Sequence, residues 1–239
     1  MKRSFWVYAL VLGVCVVLPA LSRGQNISPV GAWQVNVLGS EKGTLIMTFT
    51  TNSTVTGYGI LRKNFGFITL SGTWGFDSKG DVVAGYTQTA NGVSSAFRLK
   101  ARMLSSIRFR GKATGTSGDY QCKGEQLESY PDLSGTWNGP LKRKGEALYE
   151  TFVSTLSSNY PAVFDITGSG LGDTGSFTLA GEIIVSSDNK VNALINRTFG
   201  TDTQHSSLSG VFKSRHSGDQ LRLQGNDDTG AHISETVTR

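Results

Sequence analysis

Apolar and polar residues alternate along most of the chain. Trp33, Val35 and Val37 alternate with polar neighbours, and Phe97, Leu99 and Ala101 alternate with Arg98, Lys100 and Arg102. The run Leu70, Gly72, Trp74, Phe76 keeps one face apolar or bare, while Leu45, Met47 and Phe49 alternate less cleanly. Val191, Ala193 and Ile195, then Leu221 and Leu223, repeat the pattern later. A period of two is that of a strand with one face buried and one wet. Turn-forming clusters interrupt these runs, among them Ser78-Lys79-Gly80-Asp81, Ala90-Asn91-Gly92, Ser187-Asp188-Asn189 and Asp228-Thr229-Gly230. No window beyond the first 25 residues has helical periodicity.

The pattern occurs twice. Gly31-Ala32-Trp33 matches Gly135-Thr136-Trp137, and Val55-Thr56-Gly57-Tyr58-Gly59 matches Ile166-Thr167-Gly168-Ser169-Gly170. Phe67 to Gly72 matches Phe177 to Gly181, and Ser117-Gly118-Asp119 matches Ser217-Gly218-Asp219, with Gly124 answering Gly225. Order is kept while the spacing drifts, as loop-length changes between duplicated units would produce. The join falls near Tyr130-Pro131-Asp132. We therefore read residues 27–130 and 133–239 as two all-β units of about eight strands each, joined by hairpins into antiparallel meanders. Glycines inside the runs (Gly57, Gly72, Gly111, Gly168, Gly181, Gly210) let a sheet bend sharply, which favours a closed barrel over a sandwich.

The N-terminus is different in kind. Lys2 and Arg3 precede an uncharged apolar run from Phe5 to Leu18, followed by Pro19, Ala20, Ser22 and Gly24. This is the plan of a cleavable signal peptide over residues 1–24, and it predicts a secreted or periplasmic protein. The run is too short to span a bilayer comfortably, and no integral membrane segment is expected after cleavage. Cleavage after Gly24 removes Lys2, Arg3 and Arg23, leaving 20 of 23 basic residues against 18 acidic ones, a net of +2. Bulk charge then gives no reason to expect a nucleic-acid partner. Local clusters remain: Arg98, Lys100, Arg102, Arg108, Arg110 and Lys112 fall at every second position, and Lys142, Arg143 and Lys144 sit together. Every-second-position charge reads first as a solvated strand face and second as an anion site. Cys15 leaves with the signal, so Cys122 stands alone and is expected as a buried thiol.

With a Gly-x-Trp in the first strand of each unit, about a hundred residues per unit and a succession of hairpins, the pattern resembles the calycin type of barrel shared by lipocalins and avidins. The resemblance implies shape, and implies that Trp33 and Trp137 close one end of each core. It does not extend to biotin, because the avidin pocket uses tryptophans in later strands and the second unit has none after Trp137.

Catalytic motifs are scarce. His205, His216 and His232 all lie in the second unit at separations that fit no compact metal site, so no metal or cofactor is expected. There is no Gly-x-Ser-x-Gly nucleophile elbow. Gly168-Ser169-Gly170-Leu171-Gly172 lacks the lysine and helix of a phosphate loop, and Asn226-Asp227-Asp228 lacks the spacing of a calcium loop. Sequons stand at Asn26, Asn52 and Asn196. The leading expectation is an exported non-enzymatic barrel protein that binds a small apolar ligand or an envelope protein. Candidate barrel-lining residues are Trp33, Trp74, Phe97, Trp137 and Phe177. Two other readings stay open: a structural or interaction module of the cell envelope with filled barrels, and an enzyme with a site at the mouth of the second barrel.

Overall fold

The computed structural model describes residues 26–63, 65–143, 146–173 and 175–239, so the signal-peptide reading, Cys15 and Lys144 lie outside the described residues. The first unit comprises β1 (Gly31–Gly39), β2 (Gly43–Phe49), β3 (Thr54–Leu61), β4 (Gly66–Phe76), β5 (Val82–Ala90), β6 (Val93–Ser105), β7 (Arg108–Gly115) and β8 (Gly118–Gln126). The second comprises β9 (Gly135–Arg143), β10 (Glu146–Leu156), β11 (Val163–Gly172), β12 (Gly175–Val185), β13 (Lys190–Phe199), β14 (Asp202–Lys213), β15 (Gln220–Asp227) and β16 (His232–Thr238). Each is an antiparallel meander, closed by β1 pairing β8 in the first and β9 pairing β16 in the second. The protein is thus two eight-stranded barrels in tandem.

Alternation does the sorting. Trp33, Val35, Val37, Leu45, Met47, Phe49, Phe97 and Leu99 all point into barrel 1 and are buried. Trp137, Phe152, Phe177, Leu179, Ile195 and Leu221 fill barrel 2 in the same way. The two first-strand tryptophans are fully buried and held alike: Trp33 Nε1 donates to Pro29 O (2.6 Å), Trp137 Nε1 to Leu133 O (2.9 Å). Two in-strand glycines are required by close approach. A Cβ on Gly72 would lie 2.0 Å from Gly85 O, and one on Gly181 1.9 Å from Leu194 O. Strand positions this tight mark where one backbone bends over its neighbour.

Strand register gives a residue-by-residue equivalence. Trp33 pairs Met47, which pairs Gly57, which pairs Leu70, which pairs Gln88. The matching chain in barrel 2 is Trp137, Phe152, Gly168, Leu179 and Arg197. Three of the four sequence matches follow this equivalence to within one residue. The fourth does not: Gly118 turns between β7 and β8, whereas Gly218 lies between β14 and β15. That likeness comes from two unrelated turns sharing the same turn-forming residues. Gly225 likewise answers Ala113 by register, and Gly124 answers Val237.

The barrels meet along outward-facing residues. Ile46, Tyr58 and Ile60 of barrel 1 form one buried cluster with Val163, Ile184 and Leu194 of barrel 2. The β10–β11 connection is longer than the β2–β3 connection, and it carries Tyr160 and Pro161 into this seam. Tyr160 packs on Tyr58 and Phe67, with ring centroids 4.7 and 5.2 Å away, and Tyr58 OH donates to Pro161 O (2.6 Å). Asn192 Nδ2 donates to Thr44 Oγ1 (2.9 Å) and Ser187 N to Gln34 Oε1 (3.0 Å). Two aromatic pairs contribute roughly 1–3 kcal/mol together beyond area burial. Tyr160→Ala should therefore split a single thermal transition into two in scanning calorimetry, while both barrels keep their β circular dichroism. A single unshifted transition would show that the seam does not couple the barrels.

Candidate functional site

The five sequence-derived candidates all sit in the packed interiors. Trp33 lies against Phe109 (centroids 5.1 Å), Phe97 against Tyr120 (4.9 Å) and Phe177 against Phe199 (4.8 Å). Trp137 stacks near Phe152 and is covered at the barrel end by the Arg239 guanidinium, 4.9 Å from its ring. Trp74 is half-buried at an end of barrel 1, edge-on to Phe49, with Nε1 donating to Thr50 O (3.0 Å). They are brought together as core, two or three to a barrel. Cys122 is also inside barrel 1, where burial pushes its thiol up to about 12, so it carries no thiolate at neutral pH.

Sequence reasoning missed two features. The first is a cleft where the barrels diverge beside the apolar seam. It has two lobes, of about 490 and about 510 Å³, which share Arg62, Ser209 and Gln224 as walls. Arg62 reaches from barrel 1 to donate to Ser209 Oγ on barrel 2, at the point where the lobes meet. One lobe adds Lys63, Phe65, Ser207 and His232; the other adds Lys42, Lys123 and Lys190 over a floor of Asn36, Thr44 and Asn192. Among the described residues, no aspartate or glutamate lines either lobe. Glu41 lies close by, but its Oε1 accepts the backbone N–H groups of Lys42 and Lys63, and Asp188 is ion-paired with Lys190. Ser207 is buried, and its Oγ meets no protein partner.

The second feature is a charged cluster inside barrel 2. Arg197 is 1 % exposed and Glu150 and Glu235 are 0–1 % exposed. Arg197 forks onto both Glu150 oxygens (2.9 and 3.1 Å) and also donates to Glu235 Oε2 (3.0 Å) and Ser206 Oγ (3.3 Å). By register the same positions in barrel 1 hold Leu45, Gln88, Cys122 and Phe97. Two buried carboxylates share one guanidinium, and Glu235 Oε1 receives no hydrogen bond. Burial, then repulsion from Glu150, raises the Glu235 carboxyl well above its ordinary value. A proton there removes the surplus buried charge and supplies a donor towards Glu150. The cluster is sealed from solvent, so it shapes stability and offers no route to a substrate.

At the mouth of barrel 2, Arg143 pairs with Asp227 (2.8 Å) and Glu146 (3.3 Å). Lys142 beside it is exposed. His205 and His232 lie at this end, His216 at the other. Among the described residues, no group of three or more His, Cys, Asp or Glu side chains is placed to hold a metal ion.

No protein-family model matches the chain, and no curated protein matches it. Among solved structures it is similar to two redesigned β-barrels, mFAP1 and mFAP0, each determined bound to DFHBI. Both are 19 % identical with a TM-score of 0.38; the match covers 45 % of this chain and 94 % and 98 % of theirs.

The Glu235 proton has a pH signature. In the unfolded chain Glu235 titrates near the ordinary 4.5; in the fold it keeps its proton to higher pH. The stability from that proton is complete below the ordinary value and is lost as pH rises through the raised one. Glu235→Gln should remove this decline, leaving denaturation midpoints higher than wild type at neutral pH. Arg197→Met, which strands two buried carboxylates, should cost about 3–5 kcal/mol in the same measurement. A wild-type midpoint that stays flat with pH would mean that Glu235 is ionised throughout.

Proposed function

We propose that the chain is an exported, non-enzymatic binding protein whose ligand is a small anion held in the cleft between the barrels. The observation that carries this reading is the acid-free lining: Arg62, Lys42, Lys63 and Lys123 face one cleft, and none is ion-paired to a carboxylate among the described residues. Low-dielectric walls with one sign of charge focus the field and concentrate an anion. Arg62 supplies a planar donor fork suited to carboxylate, sulfate or phosphate oxygens. The side chains of Ser209, Gln224 and Asn226 supply neutral hydrogen bonds, and Phe65 gives one apolar wall. The aromatic packing inside the barrels supports the cleft over the interiors, and the cationic lining favours an anion over an apolar molecule. The charged start, apolar run and small-residue exit of the first 25 residues support export, and the lack of a nucleophile or metal motif supports a non-enzymatic role.

Titration calorimetry of the mature protein with inorganic sulfate, phosphate and citrate tests the reading. At least one of these should bind at low salt and weaken as salt rises. Loss of a charge-assisted hydrogen bond is worth about 1.5–3 kcal/mol, so Arg62→Ala should weaken binding on the order of tenfold or more. Binding of an apolar fluorescent dye inside a barrel, with no response to any of the three anions, would reverse the assignment.

A further inference from the structure

The basic residues outside barrel 1 do more than decorate a solvated face. Arg102 on β6 stands directly opposite Arg110 on β7, Arg110 opposite Lys123 on β8, and Lys123 opposite Asn36 on β1. Asn36 is in turn opposite Thr44. Neighbouring strands lie about 4.8 Å apart, so the three cations form a row roughly 10 Å long across the sheet. Its end, Lys123 with Asn36 and Thr44, is already wall and floor of the cleft.

Like charges directly opposite one another destabilise a sheet. The rows on either side avoid this by ion pairing. Lys100 binds Asp77 (2.6 Å) and Asp81 (3.3 Å), Lys112 binds Asp119 (2.6 Å), and Arg108 binds Glu125 (3.4 Å). In the middle row Arg102, Arg110 and Lys123 are exposed and have no carboxylate partner among the described residues. The barrel fold does not demand this arrangement. By register the same row in barrel 2 reads Val211, Arg222, Thr236, with one cation in place of three.

We infer that the ligand is a linear acidic polysaccharide, one end of which sits in the cleft while the chain runs outward over Lys123, Arg110 and Arg102. This rests on the cleft reading and extends it from a small anion to a polymer. A repeating anion matches a repeating line of unneutralised cations, and neutralised flanks confine it to that line. The row has no aromatic side chain on which a base could stack, the usual platform for single-stranded nucleic acid. Sulfate or carboxylate groups on a sugar chain need only the cations.

The test compares a sulfated dodecasaccharide with the matching disaccharide on the mature protein, by calorimetry across a salt series, with a single-stranded dodecanucleotide as control. The dodecasaccharide should bind on the order of tenfold or more tighter than the disaccharide. Arg102→Gln with Arg110→Gln, both at exposed positions, should remove that advantage, lower the salt slope by about two and leave the disaccharide unchanged. Arg62→Ala should weaken both sugars. Equal binding of the two lengths, or indifference to the double variant, overturns the row while the cleft stands. Long-chain binding that needs Arg102 and Arg110 but ignores Arg62 upholds the row and overturns the cleft. Tighter binding of the dodecanucleotide overturns the choice of polysaccharide.

Discussion

The contact between Tyr160 and the Tyr58–Phe67 pair is the constraint on which the rest of the molecule turns. Each barrel closes through its own hydrogen bonds, but a cleft between two bodies is only as definite as their relative placement. The added length of the β10–β11 connection supplies the aromatic ring and the carbonyl that fix it. Arg62 then meets Ser209 across the cleft, and a seam that holds the barrels together preorganises what the cleft can bind.

The two barrels share one topology but present different outer faces. In barrel 1 the outward face of β1 to β3 became a docking surface, while the outward face of β6 to β8 gathered cations. In barrel 2 the equivalent of β1 to β3 is left with Tyr149 and Leu171 exposed side by side, and the docking residues are Val163 at the start of β11 and the outer faces of β12 and β13. The seam thus joins non-equivalent faces, and neither barrel alone makes the cleft.

Much of the fold was legible because a strand writes its burial at period two. The alternation of Trp33, Val35, Val37 or Phe97, Leu99, Ala101 needs no context to be read. What alternation hides is burial on both faces. The runs Leu45-Ile46-Met47, Ile183-Ile184-Val185 and Ala193-Leu194-Ile195 are unbroken, as strands covered on both sides are, and they are the seam. That signal was present and only its partner was not, since nothing local says which other run it meets. The cleft residues are ordinary surface types that acquire meaning through the second barrel. Arg197 and Glu150 did leave a trace: each stands at the inward parity of its strand, beside Ile195 and Phe152, where a charge is out of place without a buried counter-charge.

The lining of the two barrels also sets how each interior tolerates change. Positions that hold Leu45, Gln88 and Cys122 in one copy hold Glu150, Arg197 and Glu235 in the other. Removing Arg197 or Glu150 alone strands a buried ion, whereas Glu235 can be neutralised and leave the Arg197–Glu150 pair intact. Gln88, which accepts a hydrogen bond from Tyr120, fills the position of Arg197 in barrel 1 with no charge to pair. The first interior can thus change one residue at a time, while in the second Arg197 and Glu150 must change together.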